Sequence, residues 1–228
     1  MGKNKFNTIA KRIVKFCIST NKKFIFISGN GGSGKTELSK ILSKEAGKYS
    51  NVNLLDMDDF VVSTKLRNSA TATWKDMQKK EHTGRYTTSF VESYFLQNIK
   101  AIIYNLEKGN NYYHWPKKAK KSQECRLLYG DAVLTIIEGV GTVFLEKKKS
   151  NSVSIFLQCK KELEINRRIK RAEKSNEKTA EEVKKYFDER DSQYETNIKP
   201  YMKEHEIVLE SLEDFSINII RDDFDILK

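Results

Sequence analysis

A short glycine-rich stretch near the start of the chain has residue types and spacing that suit phosphate chemistry. It reads Gly29-Asn30-Gly31-Gly32-Ser33-Gly34-Lys35-Thr36. Glycines let the backbone turn tightly and point successive N–H groups inward, which forms a nest for phosphate oxygens. In such a loop the Lys35 ammonium reaches the β- and γ-phosphates, and the Thr36 hydroxyl is a ligand of phosphate-bound magnesium. This is the Walker A pattern, and it predicts that the whole stretch binds ATP or GTP together with Mg²⁺.

The residues on either side supply the context that this motif requires. An apolar run over residues 23–28 predicts a strand, and Leu38, Ile41 and Leu42 repeat at helical spacing before Gly47 ends the helix. The amino-terminal field of that helix adds to the attraction for phosphate. A glycine-rich turn without a ligand is the alternative, and the flanking strand and helix argue against it.

Three acids follow the next predicted strand. Leu54 and Leu55 run directly into Asp56, Asp58 and Asp59. In open parallel sheets, ligands lie beyond the carboxyl ends of the strands, so these acids stand where chemistry is expected. A carboxylate there can take a proton from an attacking hydroxyl or hold magnesium through water. A solvated acidic turn or a helix cap is the alternative.

In the stretch from Asp131 to Gly141, a mainly apolar run over 132–137 is followed by Glu138 and Gly139. This is the pattern of a buried parallel strand of the Walker B type. We therefore expect Glu138 to face the phosphates beside Thr36 and to orient magnesium or its waters. A cap of the following helix is the alternative.

Residues 161–195 predict a pair of charged helices that form a lid. Arg167 and Arg171 are four positions apart and share a helix face, with Arg168 beside them. Guanidinium groups in a closing lid can clamp the phosphates that are transferred. A solvated helix with Glu–Arg pairs is the alternative. The polar break at 174–178 suits a mobile lid tip.

Residues 61–88 lose periodicity and predict an irregular segment on the acceptor side of the site. The side chains of this segment that could contact substrate, or could equally anchor the loop, are Trp74, His82, Arg85 and Tyr86. Residues 89–107 predict one long amphipathic helix. The aromatic residues of 112–115 either stack on a flat base or pack a strand edge.

Composition bounds the remaining possibilities. The chain has 228 residues, which fits one α/β domain over 1–228. The net charge of +11 comes mostly from dispersed lysines, so an anionic substrate is preferred and nucleic-acid binding is not favoured. Three separated cysteines predict reduced thiols, and no apolar run is long enough to span a membrane, so we expect a soluble cytoplasmic protein. The sequence leaves an oligomer open.

Taken together, these motifs resemble the uridine kinase and phosphoribulokinase family over roughly residues 22–220. The resemblance rests on the glycine-rich loop, 57–60, 137–140, the arginines at 167–171 and Ile198-Lys199-Pro200, in the order of the family. It implies a three-layer α/β P-loop fold of the nucleoside-kinase type, with a parallel central sheet and a helical lid. It also implies that Asp58 is the catalytic base, Glu138 the magnesium-associated acid, and Arg168 and Arg171 the lid arginines.

The resulting hypothesis is an ATP- and magnesium-dependent kinase of a small molecule, most simply uridine or another nucleoside. Lys35, the loop amides, Arg168 and Arg171 would stabilise the transferred charge, while Thr36, Glu138 and Asp58 would hold the metal. A kinase of another small metabolite is the first alternative. A nucleotide-binding regulator or an RNA-binding P-loop protein is the second.

Overall fold

A computed structural model describes residues 2–117, 125–147, 150–175 and 179–227, with side chains from residue 6 onward. Its helices are α1 (Gly2–Ser19), α2 (Lys35–Ala46), α3 (Thr64–Asn68), α4 (Leu96–Glu107), α5 (Lys161–Ser175), α6 (Ala180–Lys185) and α7 (Phe187–Asn197). Its strands are β1 (Phe24–Ser28), β2 (Val52–Asp56), β3 (Thr71–Lys75), β4 (Glu81–Arg85), β5 (Tyr112–His114), β6 (Arg126–Leu128), β7 (Leu134–Glu138), β8 (Ser152–Gln158), β9 (Ile207–Ser211) and β10 (Ile217–Asp222).

A six-stranded sheet forms the centre of the molecule, in the order β10-β9-β8-β1-β7-β2. All neighbours in it are parallel except β10, which pairs antiparallel with β9 at one edge. The strand β1 is therefore central, and the glycine-rich loop that follows it lies in the middle of the row formed by the carboxyl ends of the parallel strands. This confirms the predicted α/β fold with a mainly parallel sheet.

Alternate residues of the central strands pack against helices on opposite faces of the sheet. Ile25 and Ile27 belong to a core shared with α1 and α2, whereas Phe24 and Phe26 belong to a second core shared with α4. All four side chains are buried. Each such burial stabilises the fold by about 1.5–3 kcal/mol, so the two cores fix the three layers.

The segment 61–88, predicted to be irregular, is instead ordered as α3 followed by the antiparallel hairpin β3–β4. In β3 the buried residues Ala72 and Trp74 alternate with exposed neighbours, as a strand with one covered face requires. The strands are short and polar on the outer face, so the alternation spans too few residues to stand out in the sequence.

The single helix predicted over 89–107 is wrong at its start, because α4 begins only at Leu96. Residues 91–93 form a short 3₁₀ turn, and Tyr94 pairs with Val61 in an isolated bridge. The Phe95 N–H donates to the Phe60 carbonyl at 2.8 Å. Tertiary hydrogen bonds to the acidic turn after β2 therefore override the helical pattern here.

Two of the composition-based predictions can be compared with the described residues. None of the helices in these ranges is long and apolar enough to cross a bilayer. The three cysteines, Cys17, Cys125 and Cys159, are all free thiols.

Candidate active site

The glycine-rich loop closes around the side chain of its own lysine. Lys35 is 8% exposed, and its Nζ donates to the Asn30 carbonyl at 2.6 Å. Burial lowers the pKa of Lys35, while the carboxylates of Glu138 and Glu164 act in the opposite direction. The Gly34 backbone, with φ of 102°, makes the turn into α2 in a region that favours glycine. The structure thus places the ammonium inside the loop at the amino terminus of α2.

Asn30 connects the loop to the start of α5. Its Nδ2 donates to Glu164 Oε2 at 2.6 Å and to the Cys159 carbonyl at 3.0 Å, and its Oδ1 accepts from the Cys159 N–H at 2.9 Å. The side chain is 4% exposed. Sequence analysis predicted Asn30 only as part of the nucleotide loop. In the structure its side chain points into the protein, so only its backbone is available to a ligand.

Glu138 lies at the carboxyl end of β7, opposite Ile27 of β1 and Asp56 of β2 in the sheet register. The Thr36 Oγ1 donates to Glu138 Oε1 at 2.7 Å. Burial raises the pKa of Glu138, and the Thr36 hydrogen bond and the Lys35 charge counteract that rise. The structure therefore brings Thr36, Lys35 and Glu138 together at one edge of the sheet.

The three acids after β2 have three different environments. Asp56 accepts the Asp58 N–H at 2.8 Å and so caps the turn. Asp59 lies 3.2 Å from His114 Nε2 and accepts the Lys117 N–H at 3.0 Å, which anchors β5. Asp58 is the exposed member of the three. Its charge is the weakest of those that act on Lys35 and Glu138, so Asp58 lies within electrostatic range of both.

The lid arginines predicted from the sequence are not equivalent. Arg168 extends over the loop and pairs with Glu164 Oε1 through Nε at 2.7 Å and Nη2 at 2.6 Å. A Cβ added to Gly31 would lie 1.8 Å from that Nη2. Arg171 is exposed, and it has no hydrogen bond or ion pair with the described residues. The structure therefore brings Arg168 to the loop, whereas no bond joins Arg171 to the loop among the described residues.

Arg167 has a supporting position. Its Nη1 donates to the Gly32 carbonyl and to Ser211 Oγ, both at 2.9 Å, and its Nη2 donates to the Leu212 carbonyl at 2.6 Å. These bonds tie the glycine-rich loop to the end of β9. The predicted lid tip includes residues 176–178, which lie outside the described residues.

The acceptor-side residues anchor the hairpin to α7. Trp74 Nε1 donates to Ser192 Oγ at 3.0 Å, and Arg85 pairs with Glu189 at 2.7 Å. His82 lies 2.6 Å from Asp76 near the tip of the hairpin, and the Tyr86 ring packs edge-on against Phe90. Of the two interpretations left open by the sequence, the structure supports anchoring for Trp74 and Arg85.

The aromatic stretch 112–115 divides between packing and exposure. His114 is buried and its ring stacks on Phe60 with centroids 5.1 Å apart. Tyr113 and Trp115 are 62% and 65% exposed. Their rings remain accessible beside the acidic turn that carries Asp58.

Several charged side chains near the loop were missed by sequence analysis. Glu164 and Arg190 line one small cavity with Gly31 and the predicted lid residue Arg168. Arg67 donates to the carbonyls of Val62 at 3.0 Å and Tyr86 at 2.9 Å. The arginines lie in polar or charged stretches without a motif, so the sequence gives no signal that separates them from solvated residues.

A strand, a phosphate loop, a helix and a second strand whose acid meets the loop threonine define a P-loop kinase fold. The model of the Phosphoribulokinase / Uridine kinase family matches residues 24–218. The chain belongs to this family, whose kinases use ATP and phosphorylate hydroxyl acceptors.

Solved structures resemble the chain at low sequence identity. Phosphoribulokinase from Rhodobacter spheroides is 14% identical with a TM-score of 0.58, covering 84% of this chain and 70% of its own. A candidate fructose transport system kinase from Silicibacter sp. TM1040 is 14% identical with a TM-score of 0.50, covering 79% and 84%. A candidate uridine kinase from Bacillus stearothermophilus is 18% identical with a TM-score of 0.47, covering 86% and 96%. Among curated proteins, none matches the chain.

Proposed function

We propose that the protein is a cytoplasmic, ATP- and Mg²⁺-dependent kinase of a small molecule, most simply uridine or another nucleoside. The proposal rests on one observation: Lys35 and the hydrogen-bonded pair of Thr36 and Glu138 lie together at the carboxyl end of the sheet, within electrostatic range of Asp58. A protein that only binds ATP needs a phosphate loop but has no use for a carboxylate on the acceptor side.

In the proposed reaction, the oxygen of the acceptor hydroxyl forms a bond to the γ-phosphorus of ATP. The bond from that phosphorus to the β–γ bridging oxygen breaks, ADP leaves, and the hydroxyl proton passes to the carboxylate of Asp58. Lys35, the loop N–H groups and Arg168 stabilise the negative charge as it moves. The fold contributes chiefly by aligning the two reactants, since the transfer requires little covalent chemistry of the protein.

The residues present fit a magnesium ion that is held mainly by the phosphates of ATP. Thr36 and Glu138 offer oxygens 2.7 Å apart, and Asp58 is the further predicted ligand. Within the described ranges, no group of three His, Cys, Asp or Glu side chains could form a cage. Magnesium commonly takes one or two protein oxygens and fills its octahedron with phosphate and water. When bound, it would neutralise charge on the β- and γ-phosphates.

Exposed aromatic rings support a nucleoside as the acceptor. The exposed residues Tyr113 and Trp115 flank His114. The His114 ring contacts Asp59, which directly follows the proposed base Asp58 in the chain. Such rings can stack on a flat base. A kinase of another small metabolite is the second candidate, since the similar structures named above include a candidate fructose transport system kinase and a phosphoribulokinase.

The test is ADP release from ATP and Mg²⁺ with a panel of nucleosides, sugars and sugar phosphates. We expect one acceptor class to stimulate release. Asp58→Asn should lower turnover by about 10²- to 10⁴-fold and leave ATP affinity within about twofold, because it removes the base but no phosphate contact.

The matched control is Asp131→Asn, which makes the same change in an exposed turn before β7 and should keep full turnover. Undiminished turnover in Asp58→Asn would reject the base assignment. If ATP binds but every acceptor fails, the protein is a nucleotide-dependent switch or acts on a different substrate.

A further inference from the structure

Arg190 on α7 is a charged residue that neither the motifs nor the proposed function uses. Its side chain lines the small cavity next to the glycine-rich loop, together with Gly31 and Arg168 from the loop and α5 and with Thr88 and Ser89 from the acceptor segment. It is only partly exposed. In the described part of the chain, its guanidinium has no hydrogen bond and no ion pair within 4 Å.

The carboxylates near Arg190 are engaged with other cations. Glu164 pairs with Arg168, and Glu189 pairs with Arg85. Asp191 pairs with Lys161 at 2.8 Å. None of these three carboxylates makes an ion pair with Arg190.

Burial lowers the pKa of Arg190 to about 10. The charges of Arg168, Arg67 and Arg85 act in the same direction, and the charge of Glu164 opposes them. The guanidinium remains charged at neutral pH. A cation that is partly desolvated, repelled by neighbouring arginines and without a direct ion pair costs free energy in the folded protein. An anionic ligand at this position would recover that cost.

The position identifies which part of the ligand Arg190 would meet. Arg168 and Gly31 lie on the donor side of the cavity, whereas Arg67 and Arg85 belong to the acceptor segment. The group that passes between these two sides in a kinase reaction is the γ-phosphoryl group. The position of α7 is fixed toward the acceptor segment by the Arg85–Glu189 pair and by the bond from Thr87 Oγ1 to Gln193 Oε1 at 2.6 Å.

We propose that Arg190 is a catalytic residue that binds the γ-phosphoryl group of ATP from the acceptor side, in addition to Arg168. The inference rests on the proposed kinase function. Arg168 already shares its charge with Glu164, so Arg190 is the arginine with its full charge available to the phosphoryl oxygens. A guanidinium fork forms paired, charge-assisted bonds with such oxygens, and these strengthen as charge develops during transfer.

The experiment compares the affinities of the whole chain for ADP and for the β,γ-imido analogue of ATP, both with Mg²⁺, by calorimetric titration. Arg190→Gln should weaken binding of the ATP analogue about tenfold or more and change ADP affinity by less than about twofold. Arg190→Lys keeps the charge but loses the fork, and it should show a smaller loss. Lys184→Gln, which removes a charge from exposed α6, is the matched control and should bind both nucleotides as the wild type does.

Thermal unfolding separates this role from a structural one. Arg190→Gln breaks no bond within the described residues and relieves repulsion, so its melting temperature should equal or exceed that of the wild type. Lower melting temperatures for both Arg190 variants would assign a structural role and overturn the proposal. Equal changes for the two nucleotides, or none, would also overturn it. If the wild type and Lys184→Gln bind neither nucleotide, the kinase proposal itself fails.

Discussion

The donor side of the site, built on the glycine-rich loop, and the acceptor side, built on residues 61–94 and α7, are held in place differently. On the donor side, Asn30, Ser33 and Lys35 are buried, and each is hydrogen bonded within the loop or to the strands beneath it. On the acceptor side, Asp58 is exposed, and the hairpin depends on contacts with a helix more than 100 positions later in the chain. The donor side is thus preorganised, whereas the acceptor side depends on long-range contacts.

The donor side also has a second supporting layer beneath the loop. Ser28, which precedes the loop, contacts Thr142 and lies 3.1 Å from His205 Nε2. His205 Nδ1 lies 2.8 Å from the Tyr201 carbonyl, so Nδ1 donates and Nε2 accepts the Ser28 hydroxyl. A nucleotide phosphate presents the same geometry to every kinase of this kind, so a rigid donor side suits it. Acceptors differ, and their site lies on elements that can change independently of the core.

Replacing one glycine on each side by alanine should give the largest contrast. A Cβ on Gly29, where φ is +134°, would lie 1.8 Å from the Leu157 carbonyl oxygen, which is fixed backbone. Strain and overpacking together should cost about 2–6 kcal/mol of unfolding free energy. A Cβ on Gly84 would meet the end of the Glu189 side chain at 2.3 Å, and this carboxylate can rotate away. Gly84→Ala should therefore cost only about 1 kcal/mol.

Urea unfolding of the two variants measures the difference directly. If Gly84→Ala destabilises the chain as much as Gly29→Ala, the acceptor hairpin is as rigid as the donor side, and the contrast between the two sides is wrong.

Acid should weaken the donor side through His205. This imidazole is 1% exposed, and burial lowers its pKa from 6.5 to about 4. The hydrogen bond to the Tyr201 carbonyl opposes this shift, whereas the positive charges of Lys147 and Arg221 add to it. The unfolded chain binds the proton below about pH 6.5, whereas the folded chain resists it until about pH 4. The free energy of unfolding is therefore unaffected by protonation of His205 above pH 6.5, and it falls by about 3 kcal/mol as the pH drops toward 4.

The measurement is the unfolding free energy of wild type and His205→Asn at several values between pH 7 and pH 4. The variant lacks the titrating ring, so the wild type should lose about 3 kcal/mol more than the variant over this interval. Parallel curves for the two proteins would show that His205 titrates normally and that the second layer does not hold a neutral imidazole.

The same contrast explains what the sequence could predict. The loop and the Glu138 strand end were predictable because local spacing defines each of them. Their meeting was predictable because the carboxyl ends of parallel strands share one edge of the sheet. The helix α2 was predictable because its apolar residues repeat at helical spacing.

The acceptor side could not be predicted in the same way. Trp74 and Arg85 take their positions from Ser192 and Glu189, and nothing in the local sequence marks such pairs. The late start of α4 has a similar cause, because the Val61–Tyr94 bridge outweighs a helical pattern. The placement of Arg190 depends on the same docking of α7. Contacts between distant, polar surface elements leave no periodicity in the sequence.

The smallest expected effect is local and concerns the clasp between Arg85 and Glu189. Glu189 accepts from the Arg85 N–H at 2.6 Å and from its guanidinium at 2.7 Å and 3.1 Å. Both side chains are partly exposed, so Glu189→Gln should cost only about 1 kcal/mol of global stability. Hydrogen exchange of the β3 and β4 amides should accelerate about fivefold, while α2 behind the glycine-rich loop exchanges as before.

The matched control is Glu195→Gln on the same helix. Glu195 pairs with Lys199 one turn away at 2.6 Å, and neither residue touches the hairpin. This variant loses a salt bridge of comparable exposure but should leave exchange in β3 and β4 unchanged. If both variants loosen the hairpin equally, α7 stabilises it through overall helix stability rather than through the clasp. If only Glu189→Gln does so, the Arg85–Glu189 pair controls the opening of the hairpin, and a long-range contact limits the local stability of the acceptor side.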